Sequence, residues 1–272
     1  MESDKKIWNA IITEQKRYIN LAMNDIKNFE KFYIYSVIAH STAIEGSTLS
    51  ENETQLLFDE GIVAKGKSIT EHFMNLDLKT AYEYAMSEAV RKTAITVEFL
   101  KQINSLVLKN TGGVQHVAAG AFDSSKGDYR LCSVRAGMDG KSFIDYRKIP
   151  DKIDDFCKEI SKRLDAEELI DIYNLSFDAH LNLVTIHPWI DGNGRTSRLL
   201  MNYIQFYHGL VPTKVHQQDK EEYIKSLEKS RETENPSPFR VFMANQHLKT
   251  LKREISNVIK TRKQVRDFNL LF

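Results

Sequence analysis

His187-Pro188-Trp189-Ile190-Asp191-Gly192-Asn193-Gly194-Arg195-Thr196-Ser197-Arg198 gathers more reactive chemistry than any other stretch of the chain. Gly192-Asn193-Gly194 is a run of small residues that tolerates unusual backbone angles. Leu199, Leu200, Tyr203, Ile204 and Tyr207 follow at helical spacing, so a glycine turn feeds a helix N-terminus. Such a junction collects unpaired amide donors and the positive end of a helix dipole, which suits polyphosphate. Arg195 and Arg198 fall in the first turn, where the dipole disfavours cations, so the pattern predicts a compensating anion. Asp191 is the one carboxylate in this cationic cluster, and a hard oxygen ligand beside phosphates is the usual seat of Mg²⁺. His187 precedes a proline, which disfavours helical geometry before it and leaves the imidazole at a helix end beside the nest. With an ordinary pKa near neutrality, it suits the role of general base toward an incoming hydroxyl. Each feature alone has a bland reading: a structural histidine, an ordinary turn, solvated arginines. All four roles at fixed spacing favour function.

Composition sets the frame. The 272 residues carry 38 basic and 37 acidic side chains, a formal net charge of +1, so no global field draws the chain to nucleic acid or a membrane surface. A charged N-terminus without a long apolar run predicts neither signal peptide nor membrane span, and a cytoplasmic setting. Cys132 and Cys157 lack metal-type spacing. Five prolines and few strand-like alternations predict an all-α fold.

In chain order, Ile11, Tyr18, Ile19, Phe29, Phe32, Ile34, Val37 and Ile38 mark helical periodicity from about Ile7 to Ala43, stopped at Glu45-Gly46. A carboxylate in a last helical turn opposes the dipole, yet on that argument alone Glu45 reads as a solvated helix end. Ser50-x-x-Glu53 and Ser68-x-x-Glu71 read as capping boxes, and Thr96 as a further cap. Six glycines punctuate Gly112 to Pro150, where Tyr129–Val134 and Ser142–Tyr146 are the predicted strands of a hairpin. Helices are predicted over Ile149–Leu164, Leu169–Ile186, around Tyr223, Ile224 and Leu227, and from Phe239 to about Lys263. His180 reads as a core histidine supporting the loop.

HPWIDGNGRTSR resembles the signature of Fic-domain proteins, H-x-F-x-(D/E)-G-N-G-R-x-x-R, with Trp189 in place of the usual phenylalanine. The resemblance implies a Fic-type helical bundle with a small β-hairpin flap over the active site. It implies that His187 is the catalytic base and Asp191 the Mg²⁺ ligand. Nucleotide and phosphate would be held by Asp191, Gly192, Asn193, Gly194, Arg195, Thr196, Ser197 and Arg198. Ser41-Thr-Ala-Ile-Glu45-Gly46 is similar to the family's inhibitory motif (S/T)-x-x-x-E-(G/N), whose glutamate pairs with the second arginine of the signature, here Arg198. Gly127-Asp128-Tyr129-Arg130 resembles the lead-in of the flap, which implies that Ala136, Gly137, Met138 and Asp139 form its turn and that a target protein binds there by strand addition. Tyr223 and Leu227 match the character of the adenine-pocket helix, while Arg231 stands where asparagine is common.

The regions implied are 1–110, N-terminal helices including an inhibitory helix at about 30–46; 111–245, a catalytic core with its flap; and 246–272, a C-terminal helix. The activity implied is transfer of AMP from ATP to a protein hydroxyl, with AMP removal, as in some relatives, self-modification and a homo-oligomer left open. A nucleotide-binding regulator, or a nucleic-acid binder using the basic C-terminal helix, is the competing class. For the latter, residues 246–272 are too few for a winged helix.

Overall fold

The computed structural model describes residues 2–21, 29–135, 140 and 142–269. Within them the chain folds into helices α1 (Glu2–Asn20), α2 (Phe29–Ile44), α3 (Glu51–Glu60), α4 (Ile69–Val90), α5 (Val97–Val107), α6 (Ile149–Arg163), α7 (Leu169–Ile186), α8 (Asn193–Tyr207), α9 (Lys220–Glu232) and α10 (Ser237–Asn269). The strands β1 (Val114–Val117) and β2 (Gly120–Asp123) form one antiparallel pair, with Val114 opposite Asp123 and Val117 opposite Gly120. Among the described residues no helix is long and apolar enough to cross a membrane.

The local signals for helix ends are realised. Ser50 and Ser68 each accept from the backbone N–H three residues on, and Glu53 and Glu71 reach back to the cap in return. Thr96 caps α5 through the Phe99 N–H. The periodicity of the first helices holds at Ile11, Tyr18, Ile34, Val37 and Ile38, which are buried, but Ile19 and Phe32 are 64% and 41% exposed. Each adjoins a buried tyrosine, Tyr18 or Tyr33, and one step along a helix turns a side chain about 100° away from the packed face.

The predicted hairpin is displaced. Its two-stranded ladder lies at 114–123, not at Tyr129–Val134 and Ser142–Tyr146. The later segment keeps an antiparallel bridge between Arg135 and Ser142, and the Phe143 N–H donates to the Val134 carbonyl at 3.1 Å. Two of its acceptors serve a side chain: the buried Arg130 guanidinium donates to the carbonyls of Cys132 at 2.6 Å and Ile144 at 2.7 Å. Carbonyls given to a side chain are not available to a ladder.

Two apolar clusters flank α7 and α8. The larger joins Leu78 and Tyr82 of α4, Leu100 and Ile103 of α5, Ile153 and Phe156 of α6, and Leu199, Leu200, Tyr203 and Ile204 of α8. The second joins Ile11, Phe177, Met201, Tyr223, Leu227 and Phe239. The loop between α7 and α8 is therefore held from both sides. Asp178 of α7, itself buried, accepts from Arg240 Nε at 2.7 Å, Arg240 Nη2 at 2.6 Å and Arg163 Nη1 at 3.0 Å, tying α6 and α10 to α7. Removing the shared carboxylate strands two guanidinium groups. Asp178→Ala should lower unfolding stability by about 2–3 kcal/mol, the range for hydrogen bonds to charged groups. A urea midpoint that falls with an unchanged slope is the expected reading.

Candidate active site

The site is built where α7 stops. His187 ends that helix in left-handed geometry (φ 54°, ψ 59°), its N–H still donating to the Leu183 carbonyl at 3.0 Å. The ring Nδ1 lies 3.3 Å from the Val184 carbonyl, an acceptor, so Nδ1 carries the proton and Nε2 presents a lone pair. The half-buried imidazole has its pKa pushed down to about 4. Burial is the main cause, opposed by the Val184 carbonyl and the Glu45 charge and reinforced by Arg130 and Arg231.

Trp189 anchors the loop. It is fully buried, its Nε1–H donates to the Gly127 carbonyl at 3.1 Å, and its backbone exchanges two hydrogen bonds with the Asn193 side chain at 3.1 and 2.9 Å. Asn193 thus contributes only its backbone to the nest. Gly192 (φ 78°) opens α8, and a Cβ there would lie 2.9 Å from Asn104 Nδ2. Asp191 is exposed, with Oδ1 accepting from the Gly192 N–H at 2.6 Å and Oδ2 from Arg195 Nη2 at 3.1 Å. Arg195 is 2% exposed, and its Nε and Nη1 find no hydrogen-bond partner in the protein. Thr196 has its N–H closed on the Gly192 carbonyl at 2.8 Å and its hydroxyl accepting from Asn104 at 3.0 Å. Ser197 is fully buried. Those two sit in the packing of α8 and away from the anion-binding amides at its start.

Arg198 binds the end of α2. Its Nε donates to Ser41 Oγ at 2.8 Å, and Nη2 donates to the Ser41 carbonyl at 3.0 Å and to Glu45 Oε1 at 2.6 Å. Nη1 reaches the Tyr223 hydroxyl at 3.3 Å. Gly194 makes room for this approach, because a Cβ there would lie 2.3 Å from Glu45 Oε1. Gly46 (φ 106°) ends the turn behind Glu45.

The Fic/DOC family matches residues 94–205, which span this loop and both its helices. Residues 94–205 form a Fic domain. The protein adenylyltransferase Fic of Drosophila willistoni is 30% identical over 235 residues, 86% of this chain and 44% of that protein. Its counterpart in Drosophila erecta is 28% identical over 231 residues, 83% of this chain and 43% of that protein. The chain therefore spans less than half the length of these curated relatives. Among solved structures, Fic-1 (residues 134–508) from C. elegans superimposes with a TM-score of 0.72 at 24% identity, covering 96% of this chain and 74% of that one. A Fic-domain-containing signaling protein from Bacteroides thetaiotaomicron gives 0.72 at 20% identity, covering 92% and 95%. At such identities the structures establish the fold alone.

Around the Fic domain, α9 contributes Tyr223 and Leu227, both buried in the second cluster, the Tyr223 hydroxyl lying 2.9 Å from His180 Nε2. His180 is fully buried, as expected of a core histidine. Arg231 is half-buried, 5.6 Å from the centre of the Phe143 ring. Ala136, Gly137, Met138 and Asp139 lie outside the described residues. Three contributors escaped sequence reasoning. Arg130, fully buried, clasps the loop by donating from Nε to the His187 carbonyl at 2.8 Å and from its N–H to the Pro188 carbonyl at 3.1 Å. Asn104 braces Gly192 and Thr196, and a buried amide on the apolar stripe of Leu100, Ile103 and Val107 was its available signal. Phe143 stacks on His187 and carried no signal.

Asp191 is the residue fitted to a divalent cation. Each of its oxygens has a single donor and keeps lone pairs toward solvent, and Mg²⁺ is commonly held by one or two carboxylates plus substrate phosphates. The tryptophan peculiar to this Fic domain gives a direct test. Trp189→Phe leaves the Gly127 carbonyl without its donor and opens a void, so it should destabilise by about 1–3 kcal/mol. Thermal unfolding of the two proteins side by side would show the loss.

Proposed function

We propose that the chain is a protein adenylyltransferase, moving AMP from ATP to a hydroxyl side chain of a target protein and restrained by Glu45. One observation carries the reading. A neutral imidazole with a free Nε2 sits beside a helix N-terminus flanked by two buried guanidinium groups, one with two of its nitrogens unpaired and the other held by a carboxylate. That the curated relatives are named protein adenylyltransferases supports it.

In the proposed reaction the free amides at the start of α8 and the Arg195 guanidinium receive ATP phosphates. They act as a fixed electrostatic frame that needs no reorganisation when charge develops. Asp191 would hold Mg²⁺, whose contribution is to neutralise phosphate charge. His187 accepts the proton of the attacking hydroxyl at Nε2 as that oxygen bonds the α-phosphorus and the α–β phosphoanhydride bond breaks, pyrophosphate leaving. The target segment would pair along residues 129–146, so that main-chain hydrogen bonds position a hydroxyl with little demand on its sequence. Glu45 occupies the Arg198 guanidinium that the distal phosphate needs, which leaves bound ATP misaligned for in-line attack.

Glu45→Gly should raise transfer to the chain itself and to targets by about tenfold or more, and His187→Ala should abolish it while ATP affinity stays within a few-fold. Labelled ATP and calorimetry read the two quantities separately. An ATP affinity that collapses in His187→Ala alongside persisting transfer would make His187 a binding residue.

The pH dependence follows from the imidazole. A base must be neutral, and a pKa pushed down to about 4 keeps His187 neutral throughout the range above that, with the active form lost as pH falls through about 4. The Glu45 charge raises that pKa, so its removal moves the limb no higher. In Glu45→Gly, kcat/KM should show no acid limb at the ordinary histidine value of 6.5. A limb centred there, abolished by neutralising no other group, counts against this assignment.

A further inference from the structure

Phe143 is the one aromatic side chain stacked on the His187 imidazole: the centroids are 3.8 Å apart and the planes differ by 15°. It is set there by the backbone around it. The Arg130 guanidinium donates both to the His187 carbonyl at 2.8 Å and to the Ile144 carbonyl at 2.7 Å, so one buried cation fixes the residue after Phe143 and the backbone of His187 together. On the preceding side, the Phe143 N–H is bound to the Val134 carbonyl, next to the Arg135–Ser142 bridge. From α9, Arg231 lies over the same ring at 5.6 Å, within cation–π range. Against this, the imidazole's own hydrogen bond is long, 3.3 Å from Nδ1 to the Val184 carbonyl, and weak at such a distance. A single weak contact leaves rotation about the side chain's outer bond loosely determined.

We propose that Phe143 is a positioning residue for His187, its ring fixing the plane of the imidazole and shielding one face from water. The inference rests on the reading of His187 as the base. It gives the segment 129–146 a second task besides receiving a target: it completes the base. It also gives Arg231 a task, holding the lid ring, that an asparagine could not perform through the same cation–π contact.

The charged groups that act on His187 are Arg130 from the segment after β2, Arg231 from α9 and Glu45 from the end of α2. The first two favour the neutral imidazole and Glu45 opposes them, but burial outweighs all three. Stripping the ring from position 143 removes cover and leaves the charges in place. The imidazole should then gain protons more readily.

The test compares Phe143→Ala, Phe143→Leu and Phe143→Tyr in the 272-residue Glu45→Gly chain. The His187 imidazole is titrated by NMR without nucleotide, and kcat for AMP transfer and the ATP Kd are measured alongside. Phe143 is half-exposed, and the Leu and Tyr variants keep an apolar group there. In Phe143→Ala the midpoint should rise by about one unit or more toward 6.5. Its kcat should fall about tenfold or more with ATP affinity unchanged. Phe143→Tyr should restore both. Phe143→Leu, which covers the imidazole without a parallel ring, should keep the low midpoint and still lose kcat. An alanine variant that titrates with its parent, or matches its kcat, overturns the proposal. If the parent transfers no AMP at all, the functional reading fails, and the titration, which needs neither ATP nor target, still decides whether Phe143 sets the imidazole.

Discussion

A guanidinium with 3% of its side chain exposed has lost its water and must find acceptors within the protein, because an uncompensated buried charge costs several kcal/mol. Arg198 meets that demand from three directions. Ser41 supplies a hydroxyl and a carbonyl, Tyr223 a hydroxyl, and Glu45 the only charge. The consequence is architectural. The end of α2, the second turn of α8 and the start of α9 converge on one cation, although they lie more than 150 positions apart at the extreme, as the separation of 157 between Ser41 and Arg198 shows. Glycine at 194 is what lets the carboxylate come so near, since any side chain there would occupy its place.

How far the sequence went can be judged from particular residues. The twelve-residue loop was legible because its constraints are local: a pre-proline residue, a glycine turn and a helix start each have short-range physics. The same is true of Ser50, Ser68 and Thr96, whose caps are decided within four residues. Glu45 was legible only by resemblance. Its partner is remote in sequence, and the dipole argument alone favoured a solvated end. The hairpin was misplaced because the glycine-rich interval offered two candidate ladders. The first carries the regular ladder, while in the second Arg130 lies between the segments and binds the carbonyls of Cys132 and Ile144. Thr196 and Ser197 entered the binding set by their place in the signature, and their side chains are buried in α8.

Arg195 is the counterpart that makes Arg198 informative. Both guanidinium groups are buried within one helical turn, yet Arg195 keeps two nitrogens without hydrogen-bond partners and pairs through the third with the exposed Asp191. A protein built for stability alone would satisfy those donors or replace the side chain with an apolar one. In the proposed reaction these buried donors, near the free amides of α8, add fixed and already desolvated positive charge to the seat of the anion. The electrostatic frame is therefore in place in the resting protein, and the element that distinguishes rest from action lies elsewhere.

That element is the anion on Arg198. Because the cation is buried, it is not left bare in either state: displacing Glu45 requires that another negative group take over, and a distal phosphate is the group the neighbouring nest would bring. Activation in the proposed reaction is thus an exchange of one anion for another at fixed positive charge. It needs no unfolding of α2, since Glu45 lies beyond its last residue, Ile44, and is followed by Gly46 in a conformation only glycine adopts without strain. A rotation of one side chain suffices to clear the seat. The restraint is correspondingly graded: Glu45 competes with a phosphate for a single guanidinium, and its side chain is 34% exposed, so water assists its departure. A carboxylate enclosed as fully as Arg198 would have to leave as an unsolvated charge, a cost that the proposed exchange at the partly exposed Glu45 avoids.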